Sequence, residues 1–312
     1  MAEHFNMKEG FAFGGGVLLA GLLLELVVGP VKWLLFAAPV NYVVLALLLA
    51  IIGVIYILGE KSTIFRFLRS YNAAVPTLVY AVLLTIIMGC TRQQKDGRWI
   101  YDMLTFWPFV LIYLQMAVIL GLVTINHSRK MVQAIREKKG LSLFTFHLST
   151  TINHLGLFIV LVAGTLGSAD MQRMKMITTL EAVEWRAMNE KHEMLELPIA
   201  IELNRFIMEE YDDGSPRRFA SEVRILTRTG KIVEATVEVN KPITVEGYKI
   251  YQFGYDEHAG PASQISILEL VRDPWLPVVY VGIYMMLIGA ACMLFIRKDN
   301  RHSTRSDRTP CG

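Results

Sequence analysis

Seven histidines are spread along 312 residues, and one of them, His154, falls inside an apolar run at about 148 to 168 that carries no charged side chain. That run is long enough to cross a bilayer, and an imidazole placed there is a functional hypothesis in itself, because polar groups in hydrocarbon are costly. His154 lies six residues past the start of the run, or roughly 9 Å along a helix rising 1.5 Å per residue. Desolvation disfavours the imidazolium, so the ring is expected to stay neutral, and neutral imidazole is what a haem iron binds. A histidine hydrogen-bonded to a neighbouring helix explains the same position equally well. His147 lies seven residues earlier, on nearly the same helical face but two turns away, so a single haem cannot take both as axial ligands. His147 and His127 both fall at a boundary of an apolar run, where a solvated interfacial role is the default.

Ser149, Asn153, Gly156, Ala163, Gly164 and Gly167 follow a helical spacing bordering the His154 face. Such a stripe of small residues lets a flat macrocycle or a partner helix approach the backbone closely. Asn153 and Gly156 are therefore candidate cofactor-binding neighbours of His154, with His147 a further candidate. Glu25, in the outer part of the first apolar run, reads as a structural pairing group or part of a proton path, and His192 and His258 read as solvated surface residues. Cys90, Cys292 and Cys311 are far apart and form no C-x-x-C, which argues against a thiol oxidoreductase, a zinc knuckle or a self-attached c-type haem. No P-loop, H-E-x-x-H or G-x-S-x-G signature is present, and Gly14-Gly15-Gly16 lies within an apolar run, where helix packing is the expected role.

The elements that must hold these residues are membrane spans. Hydrophobic residues make up 53% of the chain and charged residues only 19%, with mean hydropathy +0.40, which excludes long disorder and a wholly soluble enzyme. Six runs meet the spanning criterion, at about 11 to 29, 39 to 58, 77 to 90, 107 to 126, 148 to 168 and 275 to 296. The third is short unless residues before Pro76 or after Cys90 extend it. The first lacks a small-residue cleavage site and contains Glu25, so a retained helix is expected. With both termini inside, the inner segments collect 14 Lys/Arg and the short outer loops only 4, which predicts cytoplasmic termini and an outer location for the long region 169 to 272. Trp33, Trp99, Trp107 and Trp275 then form an outer interfacial belt. Region 169 to 272 has net charge -5 against +8 for the remainder; the basic excess therefore follows the membrane segments, and no nucleic-acid surface is indicated. The basic stretch Ser128 to Lys139 serves orientation and could also attract anionic propionates or lipid.

From Leu197 the hydrophobic period becomes two, as in Ile199, Ile201 and Leu203 or Val233, Ala235, Val237 and Val239, with turn signals at Asp212-Asp213-Gly214, Thr229-Gly230, Glu246-Gly247 and Gly260-Pro261. This predicts an all-β domain of about six strands, with residues 171 to 194 open between a helix and an ordered surface segment. The expected fold class is an α-helical polytopic membrane protein of about six transmembrane helices with an extracytoplasmic all-β domain inserted before the last. Its expected parts are an N-terminal transmembrane hairpin and loop (1 to 72), core helices (73 to 168), the β-rich domain (169 to 272), the last helix (273 to 296) and a basic, cytoplasmic, disordered tail (297 to 312).

Three blocks in order, His154-Leu155-Gly156 through Gly167-Ser168, Leu197 to Tyr211 (LPIAIELNRFIMEEY) and Val239 to Asp256 (VNKPITVEGYKIYQFGYD), resemble the ResB family, also called CcsB, of System II cytochrome c biogenesis. The resemblance covers about residues 73 to 296 and leaves the first two spans outside it. It implies a haem-transport subunit in the bacterial cytoplasmic membrane that binds haem b without a covalent bond and helps export it. It also implies support for haem attachment to apocytochrome c alongside a ResC/CcsA-type partner bearing a tryptophan-rich WWD segment, and thiol-reducing proteins of the same pathway. This chain has five tryptophans, none adjacent, so it corresponds to the separate ResB half, a non-catalytic or co-catalytic subunit of the haem lyase. The family's transmembrane histidine maps onto His154 as the metal ligand. The rival readings are a b-type cytochrome subunit of a quinol oxidoreductase, which needs two facing intramembrane histidines, and a transporter or receptor with a ligand-binding β domain.

Overall fold

The computed structural model describes residues 5–59, 62–94, 97–137, 141–213 and 215–306. Gly214 of the expected turn, and the end of the basic tail with Cys311, lie outside them. Two compact units result, one made of residues 1–169 and 275–312, the other Asp170–Pro274.

The first unit contains six helices long and apolar enough to span a membrane, so the chain is a multi-pass membrane protein. They are α1 (Met7–Val28), α2 (Val40–Leu58), α4 (Tyr71–Cys90), α5 (Trp107–Arg136), α6 (Leu141–Gly167) and α7 (Leu276–Ser306), with a short α3 (Thr63–Leu68) between α2 and α4. Asn6 starts α1 by accepting from the Lys8 and Glu9 amides, while the Glu9 side chain accepts from the Asn6 amide. The third span reaches full length because its helix begins at Tyr71 and runs through Pro76. A proline at that place frees the carbonyl of Asn72, four residues back. Helix α1 crosses there at Gly10, where an added Cβ would fall 2.0 Å from the Asn72 oxygen and 2.8 Å from the proline ring. One turn on, Gly14 lies against the Tyr80 ring, and Gly21 against Pro108 at the start of α5. Gly10, Gly14 and Gly21 thus serve helix packing, whereas a Cβ on Gly16 would meet nothing within 4 Å. The principal neighbours of α1 are α4 and α5, whereas α2 lies against α5 and α6, so the first two spans do not close on each other as a simple hairpin.

Helix α5 is the centre of the bundle, buried over 56% of its apolar stretch against 11% for α7. Its Ile119 and Leu122 join Leu48 and Ile52 of α2 and Phe158 and Val162 of α6 in one core. Its first turn is held by Glu25, which is buried and accepts from the Trp107 amide at 3.2 Å, while the Trp107 indole donates to the Gly29 carbonyl at 2.8 Å. A carboxylate at a helix N-terminus meets both the unpaired amide and the positive end of the dipole. Glu25 therefore has a structural pairing.

The second unit is an eight-stranded antiparallel sheet in the order β5-β4-β3-β2-β1-β8-β7-β6. The strands are β1 (Gln172–Thr179), β2 (Val183–Asn189), β3 (Met194–Glu210), β4 (Pro216–Thr227), β5 (Ile232–Glu238), β6 (Ile243–Val245), β7 (Tyr248–Tyr255) and β8 (Ile265–Arg272). The expected six strands become eight because residues 171 to 194 supply β1 and β2. Their alternation is masked in sequence: β1 turns Met174, Met176 and Thr178 inward, two flexible thioethers and a hydroxyl in place of β-branched apolar residues. Inside, the Ser221 hydroxyl, the Gln252 amide and the Ser266 hydroxyl bond one another across β4, β7 and β8, and Gln252 also donates to the Gly254 carbonyl. The β6–β7 hairpin turns on Glu246 and Gly247, with φ of 51° and 80°, as its two-residue loop requires. His192 and His258 are both exposed in this unit, as expected.

Candidate functional site: three imidazoles between α5 and α6

Helices α5 and α6 are antiparallel neighbours joined by a short connection, so residues equidistant from that connection meet. His127 precedes Leu141 by 14 residues and His154 follows it by 13. Their rings are nearly parallel, at 15°, with centroids 5.3 Å apart. His147 joins from its own turn of α6, its ring 6.3 Å from that of His127 and tilted by 46°. His127 thus bridges two α6 histidines that are themselves two turns apart. Sequence reading placed it at a boundary; the missed signal was the symmetry of the α5–α6 pair about residue 140.

The hydrogen bonding differs among the three. His154 Nδ1 lies 2.7 Å from the Thr150 carbonyl. A carbonyl only accepts, so Nδ1 carries the hydrogen and donates, and in the neutral ring Nε2 keeps its lone pair. Metal-binding histidines are commonly oriented in this way, by a bond from the non-ligating nitrogen to a backbone carbonyl. The nearby threonine hydroxyls are engaged elsewhere, Thr150 donating to Phe146 and Thr151 to His147 along the α6 backbone. Nδ1 of His127 and Nδ1 of His147 are buried and have no hydrogen-bond partner among the described residues. Leaving such a group unmet costs about 1–3 kcal/mol, which a folded protein ordinarily avoids. Unmet polar capacity is therefore gathered at one place in the bundle, around an imidazole whose other nitrogen is already fixed. Among the described residues no group of three or more His, Cys, Asp or Glu side chains is placed to hold a metal ion.

The other two candidates lie on a different seam. Gly156 faces α7, where an added Cβ would fall 2.6 Å from the Gly282 carbonyl and 3.0 Å from Met285. Asn153 lies against Gly289 of α7, and its amide contacts the Met293 sulfur at 3.8 Å. The structure therefore does not bring Gly156 to the imidazoles; on a helix it points roughly 200° away from His154. Ser149 shares the α7 seam, its carbonyl 3.0 Å from where a Cβ on Gly289 would be.

Toward the other end of the same helices is a cavity of about 680 Å³, bounded by α2, α5, α6 and the short turn at Trp33–Phe36. Leu48, Trp107, Tyr113, Leu161 and Gly164 are among its walls, which are overwhelmingly apolar. Its size suits a small organic ligand, but no imidazole lines it.

A model of the ResB-like family matches residues 146–266, which include His147, His154 and most of the β unit. Protein NrfI of Wolinella succinogenes is 30% identical over 96 residues, 30% of this chain and 10% of that protein. The cytochrome c biogenesis protein CcsB of Prochlorococcus marinus is 28% identical over 106 residues, 34% of this chain and 24% of that protein. The matched segments thus span a tenth to a quarter of the lengths of these relatives. The solved structure of the cytochrome c haem lyase CcmF overlays 82% of this chain and 45% of its own, at 15% identity and TM-score 0.39, a likeness too loose to bear on fold or function. Residues 146–266, somewhat over a third of the chain, thus match the ResB-like family model.

Proposed function

We propose that this chain is the ResB-like subunit of a cytochrome c maturation complex of the bacterial cytoplasmic membrane. It takes haem b within the bilayer on His154, helps carry it outward, and supports its attachment to apocytochrome c together with a ResC/CcsA-type partner that carries the WWD segment. The observation that carries the reading is the His154 Nδ1 bond to the Thr150 carbonyl, which leaves Nε2 as the nitrogen able to ligate. The unpartnered Nδ1 atoms of His127 and His147 add two polar groups at the same place. The relatives support the pathway, since one of them is named as a cytochrome c biogenesis protein. The basic asymmetry supports an extracytoplasmic β unit. The covalent step joins two cysteine thiols to the haem vinyl groups and needs ferrous iron and reduced thiols, hence the thiol-reducing partners. The apolar cavity near Trp107 offers haem a dry surface on the outward side without a competing ligand.

The test is haem retention in the co-expressed complex at equal protein levels. His154→Gly should lower bound haem and cytochrome c yield, and free imidazole should restore part of both. His147→Gly should do less. Loss of haem in His147→Gly with an unchanged spectrum in His154→Gly would assign the ligand to the wrong ring. The facing of His127 and His154 favours one rival, a b-type cytochrome holding haem between two imidazoles of its own. The same preparation separates the two: full haem retention by this chain without a partner, and no covalent cytochrome c when the partner is added, would select the rival.

A further inference from the structure

On the α2 side of α5, at the end of the bundle away from Trp107, a polar concavity of about 480 Å³ is lined by Gly59, Arg66, Arg69 and Asn126. It is built by three elements. Helix α2 ends there at Gly59, α3 brings Arg66 and leads into Arg69, and α5 brings Asn126, with Arg129 three residues on. Tyr56 organises the cations: the guanidinium of Arg69 lies 4.7 Å and that of Arg129 5.5 Å from its ring centre, and Arg129 donates to its hydroxyl at 2.5 Å. Gly59 makes room, since a Cβ there would meet a terminal nitrogen of Arg69 at 3.0 Å and its Cδ at 3.2 Å. Arg69 Nε is nevertheless buried without a hydrogen-bond partner among the described residues.

The buried Nε of Arg69 calls for an acceptor. The planar fork of arginine matches a phosphate better than a point charge does. The flanks of the pocket say what else the ligand carries. Ile57 is 73% exposed and Leu58 40%, both just before Gly59, and Ile64, two residues before Arg66, is 54% exposed. A ligand with an anionic head and apolar tails satisfies both surfaces at once, and basic pockets at the ends of membrane helices hold lipid headgroups in this way.

We propose that this pocket holds the phosphate of an anionic membrane lipid, with Arg66, Arg69 and Asn126 around the headgroup and the acyl chains over Ile57, Leu58 and Ile64. The lipid then forms part of the joint between α2, α3 and α5 and offers an acceptor to Arg69.

The experiment uses the full chain, purified and delipidated, with phosphatidylglycerol, phosphatidylcholine of the same acyl chains, or inorganic phosphate added. Bound lipid is counted by native mass spectrometry, and thermal stability is followed in parallel. Phosphatidylglycerol should bind and raise Tm, and phosphatidylcholine should do neither. Arg66→Gln, whose side chain is exposed and whose loss leaves no hole, should weaken phosphatidylglycerol binding about threefold, and Arg66→Gln/Arg69→Gln about tenfold or more. Arg136→Gln, a cation of α5 outside the pocket, should leave it unchanged. Equal binding by wild type and Arg66→Gln, or equal binding of the two lipids, overturns the proposal. Inorganic phosphate that binds the pocket and raises Tm as phosphatidylglycerol does overturns the lipid assignment and leaves a free-phosphate site.

Discussion

Helix α6 presents two faces that have been solved in opposite ways. Toward α7 it offers Ser149, Asn153 and Gly156, and α7 answers with Gly282 and Gly289, so the backbones come close enough for a Cβ at either Gly156 or Gly282 to strike the other helix's carbonyl. Toward α5 it offers His147 and His154 against His127, three large polar rings, two of which leave a buried nitrogen unmet. The first face is closed and needs nothing more. The second is closed by contact but open in hydrogen bonding, and under the proposed function that open capacity is kept for haem at some cost to stability.

The largest effect should come from filling the closed face. Gly156→Leu places side-chain atoms where the Gly282 carbonyl already lies, and overpacking of this kind costs about 3 kcal/mol or more. Tm in detergent should fall sharply. Gly282→Leu should do the same, and the double substitution should be less than additive because both act on one contact. An unchanged Tm would mean that the two helices are not locked as described.

Next comes a buried polar group that does have its partner. Glu25→Ala removes the acceptor from the Trp107 amide and should lower stability by about 1–2 kcal/mol, whereas Glu25→Gln, which keeps an oxygen, should lower it by less. Denaturant unfolding in micelles reads the difference, and equal losses in both variants would place the effect in charge alone.

The imidazoles should behave in the reverse sense. His127→Leu removes an unmet Nδ1 and keeps the bulk, so the haem-free protein should be no less stable and should gain about 1 kcal/mol, while haem bound by the complex falls. A loss of stability as large as that of Glu25→Ala would show that His127 is held by packing after all, and would erase the contrast between the faces.

The smallest effect belongs to the solvated carboxylates of the β unit. Arg218 donates to Glu238 at 2.7 Å and holds its carboxyl below the ordinary value of 4.5. The Arg186 guanidinium does the same to Glu184, and the Ser215 hydroxyl and amide to Asp213. A carboxyl whose folded value is depressed stabilises the fold above its unfolded value, and loses that contribution as pH falls through the folded one. The β-unit transition should therefore move down slightly between pH 6 and pH 3, and Arg218→Gln should flatten part of that slope. Because these pairs are exposed, the shift should shrink further in high salt.

The sequence disclosed the layout more fully than the site. Six spans were legible because hydrophobicity and length are local properties, and Pro76 hid only the first six residues of α4. Strands β3 to β8 were legible where Ile, Val and Leu alternate; β1 was not, because methionine and threonine face inward there. His154 stood out by depth alone. His127 did not, since its meaning depends on which helix lies beside it. The small-residue stripe was legible as a stripe, but its partner was not: Asn153 and Gly156 answer α7, which begins more than a hundred residues later.

The seat of α1 has a consequence in time. Its glycines fit features of helices made much later: Gly10 meets Asn72 and Pro76, and Gly21 meets Pro108. Those partners follow by 66 and 87 residues, which at about 5–20 residues per second is a delay of roughly 3 to 17 seconds. During that interval the first span resides in the bilayer with its glycine face covered only by lipid, while α2 is already behind it in the chain. The membrane unit therefore cannot assemble in the order in which it is synthesised, and α1 must be held, or must wander, until α4 and α5 arrive to receive it.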